Sequence, residues 1–225
     1  EIPLRLVGSE MCIRDRIIGI ATFLITWNLY YTGYFDAATS FRHALFQTVS
    51  IASTTGFASS DFNLWPDFSR YVLLLLMFVG GCSGSTAGGM KVSRFVILLK
   101  VTWAELRRTI HPRLVYSIKM GGRNVPPVVV GNVTRFFYLY MIVFSTLTLL
   151  ISLTGISMLD SMGIIAACMS SVGPAFGIVG PTATYADVST FGRLVVIAAM
   201  ILGRLEIFTL LIIMRPDFWR VKRNW

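Results

Sequence analysis

Two short segments place hydroxyl-bearing or small residues around a glycine, directly after an apolar block. Thr54-Thr55-Gly56-Phe57 follows the block 37–53, and Ser171-Val172-Gly173-Pro174 follows the block 159–170. Rings of backbone carbonyl oxygens can replace the hydration shell of a cation, and a preceding helix would aim the negative end of its dipole at the ion. Turning the carbonyls to one side needs backbone angles that glycine adopts freely. The segments are candidate filter strands; two ordinary glycine turns are the alternative.

A glycine-rich segment, 80–89, is a candidate for controlling such a pore. It reads GGCSGSTAGG and follows an apolar block, 68–79, of only twelve residues. A helix of that length spans about 18 Å, short of the roughly 30 Å bilayer core. We expect a break inside the membrane that forms a movable plug, which is favoured over a kink for close helix packing. The candidate gate residues are Gly80, Gly81, Gly84, Ser85, Thr86, Gly88 and Gly89.

Arg204 stands in the middle of the apolar stretch 194–214, which is long enough to cross a bilayer. An arginine at the bilayer centre costs about 2.5–3.5 kcal/mol on insertion scales, so it usually faces a cavity or a partner. Two interpretations remain open, and they are compatible with each other. One is an electrostatic barrier on a cation path, which is favoured. The other is a structural pair between Arg204 and a carboxylate on a helix absent from this chain.

The composition indicates that these residues belong to a membrane protein. The 225 residues are 55% hydrophobic and 14% charged, with a mean hydropathy of +0.69. A soluble domain is closer to 45–50% apolar and roughly 25% charged. The apolar residues also form long blocks, with spanning candidates at 17–34, 136–153 and 194–214. A large soluble core is the disfavoured alternative.

The charge distribution predicts an orientation. Eight basic residues and one acid lie between Lys91 and Arg123, whereas five acids and three arginines lie in 35–70 and 156–193. The positive-inside rule then puts the 91–123 link and the basic C-terminus in the cytoplasm. Nucleic-acid binding is a poor interpretation of the net charge of +9, because the basic clusters flank apolar blocks. The three cysteines form neither a disulfide framework nor a zinc pattern.

The order of the blocks indicates an internal repeat. Long, short and long blocks follow one another twice, and 68–81 aligns without gaps to 191–204 with five identities in fourteen positions. A short apolar helix of this kind is typical of a re-entrant segment. The predicted fold is therefore an all-α integral membrane protein with two helix–pore-helix–helix repeats and re-entrant filter loops. The predicted division is a non-native leader (1–15), two repeats (16–110 and 131–225) and a cytoplasmic basic link (111–130).

Four stretches resemble the TrkH/KtrB superfamily of potassium transporters, on its TrkH side. They are STTGFASSDFNLWP, GGCSGSTAGGMKVSRF, VGPAFGIVGPTATYA and LGRLEIFT…PDFWR, and the resemblance covers residues 17–225. It implies four pore units around one pore, of which this chain carries two, similar to the third and fourth. The chain would be half of a four-repeat potassium-channel-like pore. We expect a fragment, because two of four filter strands cannot enclose an ion.

The resemblance also implies roles and partners. Gly56 and Gly173 would be the filter glycines, the segment 80–89 the intramembrane gate, and Arg204 the positive residue beneath it. Potassium would be the substrate, and a homodimer in the bacterial inner membrane the assembly. A TrkA-like cytoplasmic ring would bind NAD or ATP, with no covalently bound cofactor on this chain. The family more often has Asn where Ser170 and Ser171 stand, which puts the support of the second filter strand in question.

Other functions are weighed against this one. The residues Gly81–Gly84 match the G-x-S-G of rhomboid intramembrane proteases, but the base for Ser83 would have to be His43 or His111. Neither histidine is expected on a membrane helix facing that serine, so an enzyme is not predicted. A non-conducting scaffold subunit is a second alternative. Gated channel and ion-coupled symporter remain open, with the central arginine favouring a channel-like path.

Overall fold

The computed structural model describes residues 4–111, 117–205 and 212. Helices account for most of this part of the chain. They are α1 (Leu4–Tyr31), α2 (Ala37–Ala52), α3 (Asp67–Phe78), α4 (Val92–Ile110), α5 (Pro127–Ser152), α6 (Met158–Met169) and α7 (Thr190–Arg204). Short 3₁₀ turns cover Phe62–Leu64, Gly177–Val179 and Tyr185–Asp187.

A small hairpin departs from the expected all-helical class within the described residues. It pairs β1 (Lys119–Met120) with β2 (Arg123–Asn124) in the basic link. Met120 is buried with Ile97 of α4 and Val133 of α5. The link therefore packs onto the helices that it joins. Helix α5 begins at Pro127, inside the range expected for the link.

The helices form two units of similar order, α1–α2–α3 and α5–α6–α7. In the first, α2 packs against α1 and α3, and in the second, α6 packs against α5 and α7. Helix α3 also contacts α6, so one apolar cluster joins the units; Ile25, Leu73, Met77, Ile164 and Ile165 belong to it. Fourteen residues separate α2 from α3, and twenty separate α6 from α7, so the second loop is the longer one.

Helices α2 and α6 both begin at a side-chain cap. Asp36 accepts a hydrogen bond from the N–H of Thr39 at α2, and Ser157 accepts one from the N–H of Asp160 at α6. Such caps satisfy amide groups that have no partner inside the helix. The hydrogen bonds from Thr39 lower the pKa of Asp36. Helix α2 has 16 residues and α6 has 12, so they are about 24 Å and 18 Å long, too short to cross a bilayer.

The three spans predicted from the sequence differ in how well they agree with the helices of the structure. By length and hydropathy, α5 alone among the described helices is able to cross a membrane, with a hydropathy of 1.6. Helix α1 begins at Leu4 and carries charges before its apolar run starts at Ile17. It includes most of the 1–15 leader, whose non-native origin stays a prediction. The basic C-terminal residues used for the orientation lie outside the described residues.

The expectation of one continuous helix over 194–214 is wrong. Helix α7 ends at Arg204, and Leu205 is its C-cap. A Cβ at Gly203 would overlap the carbonyl oxygen of Met169, so the end of α7 lies against the end of α6. Arg204 therefore occupies a helix C-terminus, where the helix dipole favours a positive charge. Hydropathy cannot detect this end, because the residues on both sides of Arg204 are apolar.

Candidate functional site

Helices α2 and α6 end in the same hydrogen-bonded turn, a Schellman motif. In each, the first residue after the cap donates its N–H three residues back, and the next residue donates five residues back. The four bonds, 2.9–3.1 Å long, run from Thr54 to Ile51, Thr55 to Ser50, Ser171 to Cys168, and Val172 to Ala167. The two candidate filter strands thus leave their helices along matching paths.

The backbone angles of the two strands match as well. Thr54 and Ser171 have φ values of +57° and +56°, and they are the non-glycine residues with positive φ in the described chain. Two positions on, Gly56 and Gly173 have φ values of +78° and +102°. A residue with a side chain costs of order 1–3 kcal/mol in such a region, and such strain clusters at functional sites. The same strain at the same place in both strands supports a shared role.

The two strands lie in contact with each other. A Cβ at Gly56 would overlap the carbonyl oxygen of Val172 and would lie 3.0 Å from the ring of Pro174. A Cβ at Gly173 would meet no atom within 4 Å. Glycine at position 56 is therefore required by both its φ and its close neighbour, whereas glycine at position 173 is required by its φ alone. The structure brings together residues that are more than 100 positions apart in the sequence.

Two side chains that the sequence did not point to hold these strands, and a third holds the segment that follows the second strand. The Ser50 hydroxyl donates to the Phe57 carbonyl oxygen at 2.6 Å, and the Tyr185 hydroxyl donates to the Gly173 carbonyl oxygen at 2.7 Å. Asn63 makes two bonds to Gly177, accepting from its N–H at 3.0 Å and donating to its carbonyl at 3.1 Å. Asn63 and Tyr185 stand inside motif stretches already singled out, but nothing in one sequence pairs them with their partners.

The glycine-rich segment forms a loop that is closed at its neck. Three backbone bonds join its two ends: Gly80 N–H to Met90 O at 2.8 Å, Met90 N–H to Phe78 O at 3.3 Å, and Val92 N–H to Gly81 O at 3.1 Å. The chain therefore leaves α3 and enters α4 at nearly the same point. The predicted break in the helix after residue 78 is present, and the segment between is a compact excursion rather than a simple kink.

The tip of this loop lies against the base of both strands. The Gly88 N–H donates to the Thr54 side-chain oxygen at 3.3 Å, and a Cβ at Gly88 would overlap the carbonyl oxygen of Ser170. Thr54 begins the first strand, and Ser170 directly precedes the second. The candidate gate loop and the candidate filter strands therefore form one site.

Two basic side chains donate hydrogen bonds to carbonyl groups of the loop. Arg204 Nη1 donates to the Thr86 carbonyl oxygen at 2.7 Å, and Lys91 Nζ donates to the Ser85 carbonyl oxygen at 2.6 Å. Together with Arg94, which stacks 4.2 Å from the Phe136 ring centre, they line a cavity of about 210 Å³. Arg204 stands out in the sequence as a charge within an apolar stretch, whereas Lys91 does not. The described lining of this cavity includes three basic side chains and no acidic one, which disfavours a cation at rest there.

The remaining candidates are placed less closely. Thr55 is exposed, with its hydroxyl 2.7 Å from that of Ser53, and Phe57 is 71% exposed. The Ser83 hydroxyl contacts Glu10 and Ser93, whereas His43 contacts Ser59. No histidine is therefore a described partner of Ser83, as the protease alternative would need. The described residues also contain no group of His, Cys, Asp and Glu suited to a metal.

The described residues form a mainly α-helical fold, and it is the fold of a family of membrane transporters. The chain belongs to the TrkH family, whose family model, described as a cation transport protein, matches residues 17–220. The resemblance seen in the sequence is thereby confirmed. Membership in a transporter family also agrees with the expectation that the chain is not an enzyme.

Named relatives support the assignment. The chain is 45% identical over 190 residues to the Trk system potassium uptake protein TrkH of Vibrio parahaemolyticus, covering 84% of this chain and 38% of the relative. It is 38% identical over 193 residues to the protein of that name in Halomonas elongata, covering 86% and 40%. The crystal structure of the potassium transporter TrkH from Vibrio parahaemolyticus matches with a TM-score of 0.80 and 40% identity, over 93% of this chain and 44% of that one. The chain spans about two fifths of these curated relatives.

Proposed function

We propose that this chain is the filter-bearing part of a Trk-type potassium uptake protein of the bacterial inner membrane. The observation that carries the proposal is the contact between two matching strands, each with a positive-φ glycine, at the ends of α2 and α6. The names of the relatives agree, since they are called potassium uptake proteins. Potassium would be the transported substrate and would bind to backbone carbonyl oxygens rather than to a side-chain metal site.

The filter would work through the ends of the two short helices. The negative end of each helix dipole lies where its strand begins, and it favours a cation there. The positive φ at Gly56 and Gly173 lets the strands present carbonyl groups to one side. Thr54-Thr55-Gly56-Phe57 and Ser171-Val172-Gly173-Pro174 would then each supply one wall of the ion path.

The loop 80–89 would be the gate. Its tip contacts the base of both strands through Gly88, and Arg204 and Lys91 hold the neighbouring carbonyl groups. In this state the loop would occlude the path, and its closed neck would let it move as a unit. The positive side chains below would add an electrostatic barrier to cations. A channel-like path fits this arrangement better than a carrier that depends on an acidic relay.

A complete pore would need more than this chain. Two strands form two walls, and the resemblance implies four units around one path. Helix α2 supports this view, because it keeps an exposed apolar face made of Phe41, Leu45, Phe46 and Val49. Such a face is suited to packing against further helical units. We therefore propose that the chain acts as half of a four-unit pore.

The assembly proposed for the whole protein follows the resemblance. It is a homodimer in the inner membrane, regulated by a TrkA-like cytoplasmic ring that binds NAD or ATP. The 91–123 link and the C-terminus would face the cytoplasm, where the ring is. No cofactor is proposed on this chain itself. A non-conducting scaffold subunit is the competing function, and in it the filter glycines would be dispensable.

Rubidium uptake tests the proposal in a bacterium that lacks its own potassium uptake systems. The test protein, called here the joined protein, fuses this chain from residue 17 to the upstream part of the Vibrio parahaemolyticus relative. We expect uptake from the joined protein, no uptake from the chain alone, and weaker discrimination of potassium over sodium with Gly56→Ser. A joined protein that reaches the membrane without transporting would favour the scaffold. Unchanged selectivity in Gly56→Ser would reject the filter assignment.

A further inference from the structure

The two filter strands are held in different ways, although their backbones match. In the first unit, the hydroxyl comes from the strand's own helix, as Ser50 donates to the Phe57 carbonyl. In the second, the matching turn puts Ala167 at the position of Ser50, and alanine has no hydroxyl. The donor to the second strand is Tyr185, on a 3₁₀ turn of the loop that follows the strand.

The Gly173 peptide needs such a donor more than its counterpart does. No atom lies within 4 Å of the Cβ position at Gly173, whereas Gly56 is wedged against Val172 and Pro174. No atom at that position restrains the Gly173 backbone, which has a φ of +102°. The bond from Tyr185, 2.7 Å long, is the described contact that fixes the direction of this carbonyl.

The tyrosine is itself held in place. Its hydroxyl lies 3.4 Å from the Cys168 thiol on α6, and its ring packs against the apolar core. The turn that carries it lies in the longer of the two outer loops, between α6 and α7. The extra length of that loop therefore brings a hydroxyl to the one strand whose own helix lacks it.

We infer that Tyr185 is a positioning residue that sets the direction of the Gly173 carbonyl and so tunes the ion selectivity of the second filter strand. The inference rests on the proposed function, since it assigns a role within the same filter. The Gly173 carbonyl belongs to the peptide bond with Pro174, which has no N–H. Rotation of this peptide would turn the carbonyl oxygen away from the ion and put the apolar Cδ of Pro174 in its place. The loss should affect the smaller, more strongly hydrated sodium ion less than potassium, because selectivity depends on the full set of carbonyl groups.

The test is Tyr185→Phe in the joined protein, which removes the hydroxyl and keeps the ring. We expect the ratio of potassium to sodium uptake to fall severalfold, up to about tenfold, which matches the loss of one hydrogen bond. The matched control is Tyr138→Phe, which removes a hydroxyl from an exposed tyrosine on α5. Its uptake ratio should stay within twofold of that of the parent protein.

Protein stability separates this role from a general packing role. The melting temperature of Tyr185→Phe in detergent, and the extra stabilisation by potassium over sodium, need no transport. We expect a nearly unchanged melting temperature without ions and a smaller potassium-specific increase. A variant with the parent's selectivity in both assays would overturn the inference, while a loss of selectivity in Gly56→Ser would still uphold the filter. Parental selectivity in both variants would reject the proposed function itself.

Discussion

Arg204 Nη1 donates a hydrogen bond to the carbonyl oxygen of Thr86 at 2.7 Å, and the two residues are 118 positions apart. The bond joins the end of α7 to the loop between α3 and α4. Arg204 was expected to be either a barrier or one half of a pair with a carboxylate. Its described partner is a backbone carbonyl of the candidate gate, so the same side chain brings a positive charge and holds the loop.

Replacing Arg204 with alanine should raise rubidium uptake by the joined protein. The bond to Thr86 favours the loop position that covers the strands, and the variant loses both this bond and the positive charge. A partly exposed bond of this kind is worth about 1 kcal/mol, which corresponds to a rise of about fivefold in the open population. Initial uptake rates, normalised to the amount of protein in the membrane, measure the effect.

The matched control is Arg193→Ala, which removes an exposed arginine from the other end of the same helix. Its uptake should equal that of the parent protein. Arg204→Lys should lie between the parent and the alanine variant, because lysine keeps the charge but not the geometry of the guanidinium. Lower uptake in Arg204→Ala, with normal amounts of protein in the membrane, would contradict the view that Arg204 holds the loop closed. It would favour a purely structural role for the bond between Arg204 and Thr86.

Helix ends could be predicted from the sequence where hydropathy and helix-breaking residues agree. The break predicted after the twelve-residue apolar block 68–79 is present, because α3 ends at Phe78. The end of α7 at Arg204 could not be predicted from the sequence. It depends on the packing of Gly203 against the Met169 carbonyl, a contact between residues that no local pattern connects.

The glycine-rich loop offers a second prediction at Gly88. A Cβ there would overlap the carbonyl oxygen of Ser170, so Gly88→Ala should push the tip of the loop away from the base of the strands. We expect a higher resting rubidium uptake than in the parent protein. The same assay with Gly131→Ala gives the control, because the nearest atom to a Cβ at that helix position is 3.4 Å away, on Arg135. A resting uptake at or below the parental rate in Gly88→Ala would argue against occlusion by this loop.

The two filter glycines should respond differently to alanine. Gly56→Ala meets a steric overlap as well as a positive φ, whereas Gly173→Ala meets the positive φ alone. The left-handed backbone costs an alanine roughly 1–2 kcal/mol, and the overlap adds to this at Gly56. Both variants should lose discrimination of potassium over sodium, but Gly56→Ala should also melt at a clearly lower temperature in detergent. Equal melting temperatures would mean that the strands are not in contact at Val172.

The sequence indicated the candidate filter residues but not the side chains that hold them. The hydroxyl–glycine segments were visible because residue types and spacing are local properties. Ser50 and Tyr185 were not, since many serines and tyrosines lie near these segments and only the folded chain selects the one that reaches a carbonyl. The left-handed Thr54 and Ser171 were hidden for a similar reason, because such positions usually belong to glycine or asparagine.

Asn63 offers a test of how the two units are coupled at the outer side of the filter. Its side chain makes both hydrogen bonds to the Gly177 backbone, 114 residues away. Asn63→Ala would leave the Gly177 N–H and carbonyl without these partners, at a cost of about 1–3 kcal/mol. The melting temperature of the joined protein should fall by several degrees, and Asn63→Asp should fall less because it keeps the acceptor. Asn132→Ala, on the exposed face of α5, should not lower it. If Asn63→Ala melts like this control, the hydrogen bonds between Asn63 and Gly177 do not contribute to holding the two units together.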